Sequence, residues 1–109
     1  MDKQIIHDIN GVSYEFEDPK WVCYILECSD KTFYTGVTTD IDRRFKEHND
    51  DYKGRGAKYT KTRRPLRLVY LSGYFNTRGE VMQTESQIKK LTRKQKINLI
   101  ESSSNRHLL

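Results

Sequence analysis

The chain has no run of apolar residues near the ~18 that a membrane-spanning helix requires, and its first residues lack the apolar core of a secretory leader. Both absences predict an intracellular, cytoplasmic protein with no membrane partner. Cysteine is scarce. Cys23 and Cys28 fall on one predicted hairpin and share no metal-ligand spacing with each other or with His7, His48 and His107. A structural metal site is therefore not expected, and the thiols read as small buried groups of a reducing compartment. Hydrophobic residues make up only 35% of the 109 positions. They are grouped into periodic segments, which argues for one globular domain rather than disorder. There are no internal repeats.

Acidic residues are absent from "KGRGAKYTKTRRPLR", which holds Lys53, Arg55, Lys58, Lys61, Arg63, Arg64 and Arg67 around Tyr59. The net charge is +5 and unevenly spread. In residues 1–20, Lys3 and Lys20 face Asp2, Asp8, Glu15, Glu17 and Asp18, a balance of −3 that leaves +8 for the remainder. A basic body of this kind suggests a polyanionic partner. In the basic stretch the glycines give backbone access to phosphates, and Tyr59 offers a base-stacking surface. Lys58, Tyr59, Lys61, Arg63 and Arg64 are thus candidate nucleic-acid contacts, with "LTRKQK" as a second basic patch.

Along the chain, "IIHDINGVSYEF" centres on Asn10-Gly11, a strong hairpin signal. Pairing outward from that turn sets Ile9 opposite Val12, His7 opposite Tyr14 and Ile5 opposite Phe16. Those apolar residues are expected to pack on the domain or on a partner chain. "WVCYILE" and "TFYTGVT" form a second predicted hairpin across "CSDK", the first strand apolar on both faces as a central strand would be. Asp40 is an N-cap for a helix through "IDRRFKEHN". A basic loop and the strand "LRLVYLSGY" follow. Thr77 with Glu80, and Thr92 with Gln95, are capping boxes for helices running to about Leu91 and through "RKQKINLIES". The order ββ-ββ-α-loop-β-α-α predicts a small α/β (α+β) sandwich with an antiparallel sheet.

The second hairpin permits Tyr24 to sit opposite Tyr34 or opposite Gly36, and either register leaves both phenols on one sheet face. A cross-strand aromatic pair explains them structurally. Gly36, however, marks a place where a ligand or another backbone approaches closely. In the helix after Asp40, Ile41, Arg44, Phe45 and His48 share an arc of about 100°, while Arg43 and Glu47 point elsewhere. Arg44 is then drawn toward the core, where its donors need a carboxylate or a phosphate. On the next helix Val81, Thr84, Glu85 and Ile88 align. Glu85 is either a surface partner of Lys89 or a perturbed functional carboxylate. Phosphodiester hydrolysis needs a base, a cation at the phosphate and usually a divalent metal held by oxygen. Two phenols, an inward arginine, a histidine and one carboxylate supply that set.

"VCY" at 22–24 and "YTG" at 34–36 resemble the two signature tripeptides of the GIY-YIG nuclease superfamily. The following "TTDIDRRFKEH", "GAKYT" and the glutamate of "TESQIKKLTRKQKINLI" are similar to its small single-domain bacterial members in order and spacing. The resemblance covers about residues 21–101, leaving an extension over 1–20 with the Asn-Gly hairpin and a tail over 102–109. It implies a three-stranded antiparallel sheet flanked by helices. It also implies an endonuclease that uses one divalent cation, Mg2+ or Mn2+, on DNA more than RNA, with a part in repair or recombination. By the same resemblance Tyr24 acts as general base or positions the water, and Tyr34 supports it. Arg44 binds the scissile phosphate, His48 assists and Glu85 holds the metal. The chain departs in placing Val22 and Cys23 before the first tyrosine, and Asn98 is the candidate for an asparagine found after the glutamate. The alternative is a non-cleaving nucleic-acid-binding module that keeps the fold.

Overall fold

A computed structural model describes residues 3–7, 13–17, 20–50 and 55–103, with the main chain alone at 3–7, 13–17 and 50. Its elements are β1 (Lys3–His7), β2 (Ser13–Glu17), β3 (Val22–Glu27), β4 (Phe33–Thr38), α1 (Ile41–Asp50), α2 (Lys58–Lys61), β5 (Arg67–Leu71), α3 (Arg78–Lys89) and α4 (Arg93–Ser102). Five consecutive buried residues, Val22–Leu26, show why β3 is the middle strand. The antiparallel sheet has the order β4-β3-β5, so both faces of β3 are covered.

Register in the β3–β4 hairpin follows from its loop. Cys28 and Thr32 close it, with Lys31 N–H donating to the Cys28 carbonyl at 2.9 Å and Asp30 Oδ1 accepting from Thr32 N at 3.1 Å. Lys31 takes the left-handed conformation, φ 70°, that completes such a turn. This connection sets Tyr24 opposite Gly36 and Leu26 opposite Tyr34. The open choice of register is thereby resolved, and both phenols lie on one face.

One face carries Tyr24, Leu26, Cys28, Leu66 and Leu68, packed with Tyr34, Ile41 and Phe45. The other carries Cys23 and Ile25 against Val81 and Ile88 of α3 and Leu99 and Ile100 of α4. Both cysteines are free and buried, as expected. The two capping boxes form as read, Thr77 with Glu80 and Thr92 with Gln95, and α3 ends at Lys89.

Two expectations need correction. β1 and β2 pair one residue out of the expected register, Ile6 with Tyr14 and His7 with Ser13. The adjacent Ile5 and Ile6 put apolar residues at both phases of the period-two pattern, so that pattern selects neither register. The Asn10-Gly11 turn, Ile9 and Val12 lie outside the described residues, as do Lys53 and His107. Second, the expected basic loop holds a short helix, α2, whose Thr60 is buried. No helix among the described residues is long and apolar enough to cross a membrane.

Candidate active site

Tyr24 projects from the middle of β3 toward α1 and is 1% exposed. Its ring lies across Gly36 on the neighbouring strand. A Cβ at position 36 would collide with the Tyr24 hydroxyl and stand 2.6 Å from its Cζ, closer than real side chains come. The close approach signalled by this glycine is therefore made by the protein's own tyrosine.

The ring is held there from α1. Tyr24 Oη lies 2.8 Å from Nε2 of His48, which is fully buried. On its other side His48 Nδ1 lies 3.1 Å from Thr60 Oγ1, and the Thr60 hydroxyl donates to the Ala57 carbonyl at 2.9 Å. With that hydroxyl proton committed, Nδ1–H donates to Thr60, and Nε2 is left to accept from the Tyr24 O–H. This tautomer forgoes only the longer approach of Ala57 N–H to Nδ1, at 3.4 Å. Burial lowers the imidazole pKa to about 4, helped by the charge of Arg44, so His48 is neutral at pH 7. Burial, with the nearby Tyr34 phenol, pushes Tyr24 above the usual tyrosine range, and Arg44 opposes that rise.

Arg44 is drawn inward as expected, but Glu47 comes with it. Arg44 Nη1 donates to Glu47 Oε1 at 2.9 Å and to the Arg55 carbonyl at 2.7 Å. The Glu47 side chain is only 7% exposed, which corrects the expectation that it points away with Arg43. That flank of α1 is thus engaged by Arg55, a residue beyond the helix. The Arg44 hydrogen bond holds the Glu47 carboxyl below its ordinary range. Arg43 is a solvated charge, 57% exposed. Arg43, Arg44, Glu47 and Arg55 line an open cleft of about 590 Å³ with Trp21 and Thr38.

Tyr34 stands between groups. Its ring centroid is 5.0 Å from that of His48, 6.5 Å from Tyr24 and 6.1 Å from Tyr59. Arg63 caps Tyr59 with its guanidinium 3.9 Å from the ring centroid and also pairs with Asp30 at 3.1 Å. Arg64 Nε donates to the His48 carbonyl at 2.7 Å, so it is engaged with the end of α1. Lys58 and Lys61 are exposed on α2, and Asn98 is exposed on α4.

Glu85 lies across the sheet on α3. It pairs with Lys89, whose Nζ is 3.4 Å away, and its side chain is only 12% exposed. Burial raises Cys23 and Tyr24, and the Glu85 charge adds to the rise of each. Among the described residues no three or more His, Cys, Asp or Glu side chains converge as a ligand set. A lone, largely desolvated carboxylate suits a hard cation such as magnesium, which keeps most of its waters and shares substrate phosphate oxygens.

Thr60 and Glu47 were not singled out from the sequence. Thr60 sits in a four-residue helix too short to show a period, and Glu47 lies just outside the apolar arc of α1.

Residues 20–98 match the family model of the GIY-YIG catalytic domain. The chain is 51% identical over 83 residues to a UPF0213 protein of Syntrophus aciditrophicus, covering 76% of this chain and 92% of that one. It is 48% identical over 82 residues to the UPF0213 protein YazA of Bacillus subtilis, covering 75% and 79% of the two chains. Among solved structures it is similar to the solution structure of the UPF0213 protein BH0048 from Bacillus halodurans, with a TM-score of 0.50, 42% identity and coverage of 80% and 88%. Protein EF2693 from E. faecalis gives a TM-score of 0.51 at 39% identity, with coverage of 75% and 83%.

Proposed function

The chain belongs to the GIY-YIG family of nucleases, and on that premise we propose that it is a divalent-metal-dependent endonuclease hydrolysing phosphodiester bonds, in DNA before RNA. The observation that carries the reading is the buried Tyr24–His48–Thr60 hydrogen-bond chain beside a cleft lined by Arg44. Such a chain is more than a packed core needs.

At neutral pH Tyr24 keeps its proton, as an ordinary phenol does, and burial holds that proton more firmly. A standing phenolate is therefore not the base. The arrangement suits a relay instead. As a water oxygen bonds to phosphorus, its proton moves to Tyr24 Oη, and the Tyr24 proton moves to His48 Nε2. The imidazolium that forms keeps its Nδ1–H on Thr60. The bond from phosphorus to the leaving oxygen breaks, and that oxygen takes a proton from solvent. Arg44 faces the negative charge that gathers on the phosphate, where a fixed guanidinium is worth most. Tyr34 packs against His48 and holds the relay in line. Glu85 would hold the magnesium or manganese ion, which neutralises phosphate charge when bound. Lys58 and Lys61, on the exposed side of α2, would track the backbone.

Glu85→Gln tests this reading because it preserves shape and removes the ligand charge. The variant should fold, bind nucleic acid as well as the parent or better, and lose cleavage of branched, single-stranded and duplex substrates with magnesium or manganese. No cleavage by the parent on any substrate hands the fold to a non-cleaving binding module, and cleavage at the parent rate by Glu85→Gln removes Glu85 as the holder of the metal.

A further inference from the structure

We propose that a hollow wrapped around the open edge of β4 is a subsite for one unpaired nucleotide of the substrate. The proposal rests on the nuclease reading for the position of the scissile phosphate. Phe33, Tyr34, Thr35, Tyr59, Lys89 and Lys96 line this hollow, whose volume is about 210 Å³. Phe33, Tyr34 and Thr35 are consecutive strand residues, so they present alternate sides. Tyr34 comes from the α1 face, and its two neighbours come from the α3 face. Because β4 is an edge strand, nothing in the sheet blocks passage between those faces at this point.

The hollow therefore joins two halves of the site. Tyr34 forms one wall and also lies 5.0 Å from the His48 ring, next to the Tyr24 relay. Lys89 belongs to the other wall and stands 3.4 Å from Glu85. A nucleotide seated here would lie beside the Tyr24–His48 relay on one wall and Glu85 on the other.

Chemistry and size point to the kind of ligand. Aromatic surfaces beside cations are how proteins hold single-stranded nucleic acid, since every base has a face to stack and a phosphate to neutralise. Tyr59 is 37% exposed, and its ring is held by Arg63, itself tied to Asp30 and to the Tyr59 carbonyl at 2.8 Å. It is a rigid anchor rather than a loose surface ring. The hollow, at about 210 Å³, has room for one base. Bases stacked inside a continuous duplex cannot reach such a pocket, so the substrate presents an unpaired nucleotide beside the cut, as a flap, bulge or single strand does.

Binding without metal tests the subsite apart from cleavage. Fluorescence anisotropy would compare a single-stranded oligonucleotide containing 2-aminopurine with a blunt duplex of equal length. The parent should prefer the single strand and quench the 2-aminopurine. Tyr59→Ala should weaken single-strand binding by about 5- to 100-fold and leave duplex binding unchanged, whereas Tyr59→Phe should bind like the parent. Lys96→Ala should weaken single-strand binding and reduce its log–log salt slope by about 0.7. Equal losses on single strand and duplex, or no quenching together with no loss in either the Tyr59→Ala or the Lys96→Ala variant, would overturn the subsite. Neither result bears on whether Glu85→Gln abolishes cleavage, so the two readings fail separately.

Discussion

Replacing Gly36 by alanine adds one methyl group at the most crowded point of the site. That Cβ would lie 2.6 Å from Tyr24 Cζ and 3.1 Å from Cε2. The ring cannot swing aside freely, being 1% exposed and tied to His48 at 2.8 Å. Overpacking of this kind costs about 1–3 kcal/mol, against which removing a strand glycine returns roughly 0.5–1 kcal/mol. The net loss of about 1–2 kcal/mol should lower Tm by roughly 5–15 °C for a domain of this size. The effect on cleavage should be larger in proportion, because displacing a reacting group by about 1 Å costs on the order of 100-fold. Gly79→Ala provides the control. It sits in the first turn of α3, where an added Cβ meets nothing within 4 Å, and it should gain up to about 1 kcal/mol with unchanged cleavage. Thermal unfolding and single-turnover cleavage read both variants. If Gly36→Ala melts and cuts like the parent, the ring does not lie against that glycine and the account of the site is wrong.

Stability should fall with acidification through His48. Its folded-state pKa of about 4 lies below the ordinary 6.5, so the unfolded chain takes the proton first as pH drops. The contribution is complete above pH 6.5 and is lost between there and pH 4, on the order of 3 kcal/mol, and denaturant titrations of His48→Gln should show a flatter slope across that window. Arg44→Ala should reduce cleavage and nucleic-acid affinity, and should also cost stability by leaving the Glu47 carboxylate buried without its partner. Arg43→Ala should change each by little, since both it and its Asp40 partner are more than half exposed, as parallel assays would show. Both thiols should resist alkylation in the native state and react on unfolding, because both are buried and burial raises Cys23 to about 11. Rapid labelling of either thiol in the folded protein would contradict the two-faced core.

What could be read from the sequence is what depends on near neighbours. The capping boxes at Thr77–Glu80 and Thr92–Gln95 use side chains and backbone three residues apart, so the starts of α3 and α4 were visible in the chain. Period-two alternation placed Tyr24 and Tyr34 on one face, and period-3.6 geometry turned Arg44 and His48 inward together. Apolar residues at both phases marked β3 as the central strand. The tertiary structure decided whatever depends on segments distant along the chain. Arg44 joins Glu47 to the Arg55 carbonyl, a residue beyond the helix, and no helical period carries that information. Thr60 sets the His48 tautomer from a helix of four residues. Gly36 is required because a ring from the neighbouring strand crosses it, which follows from cross-strand register rather than from the residues on either side. The β1–β2 pairing shows the same limit, since Ile5 and Ile6 satisfy either phase and local pattern alone could not choose between them. Local periodicity named the candidate side chains. Packing between distant segments determined which of them touch, because contact and desolvation arise only where separate stretches of chain close on one another.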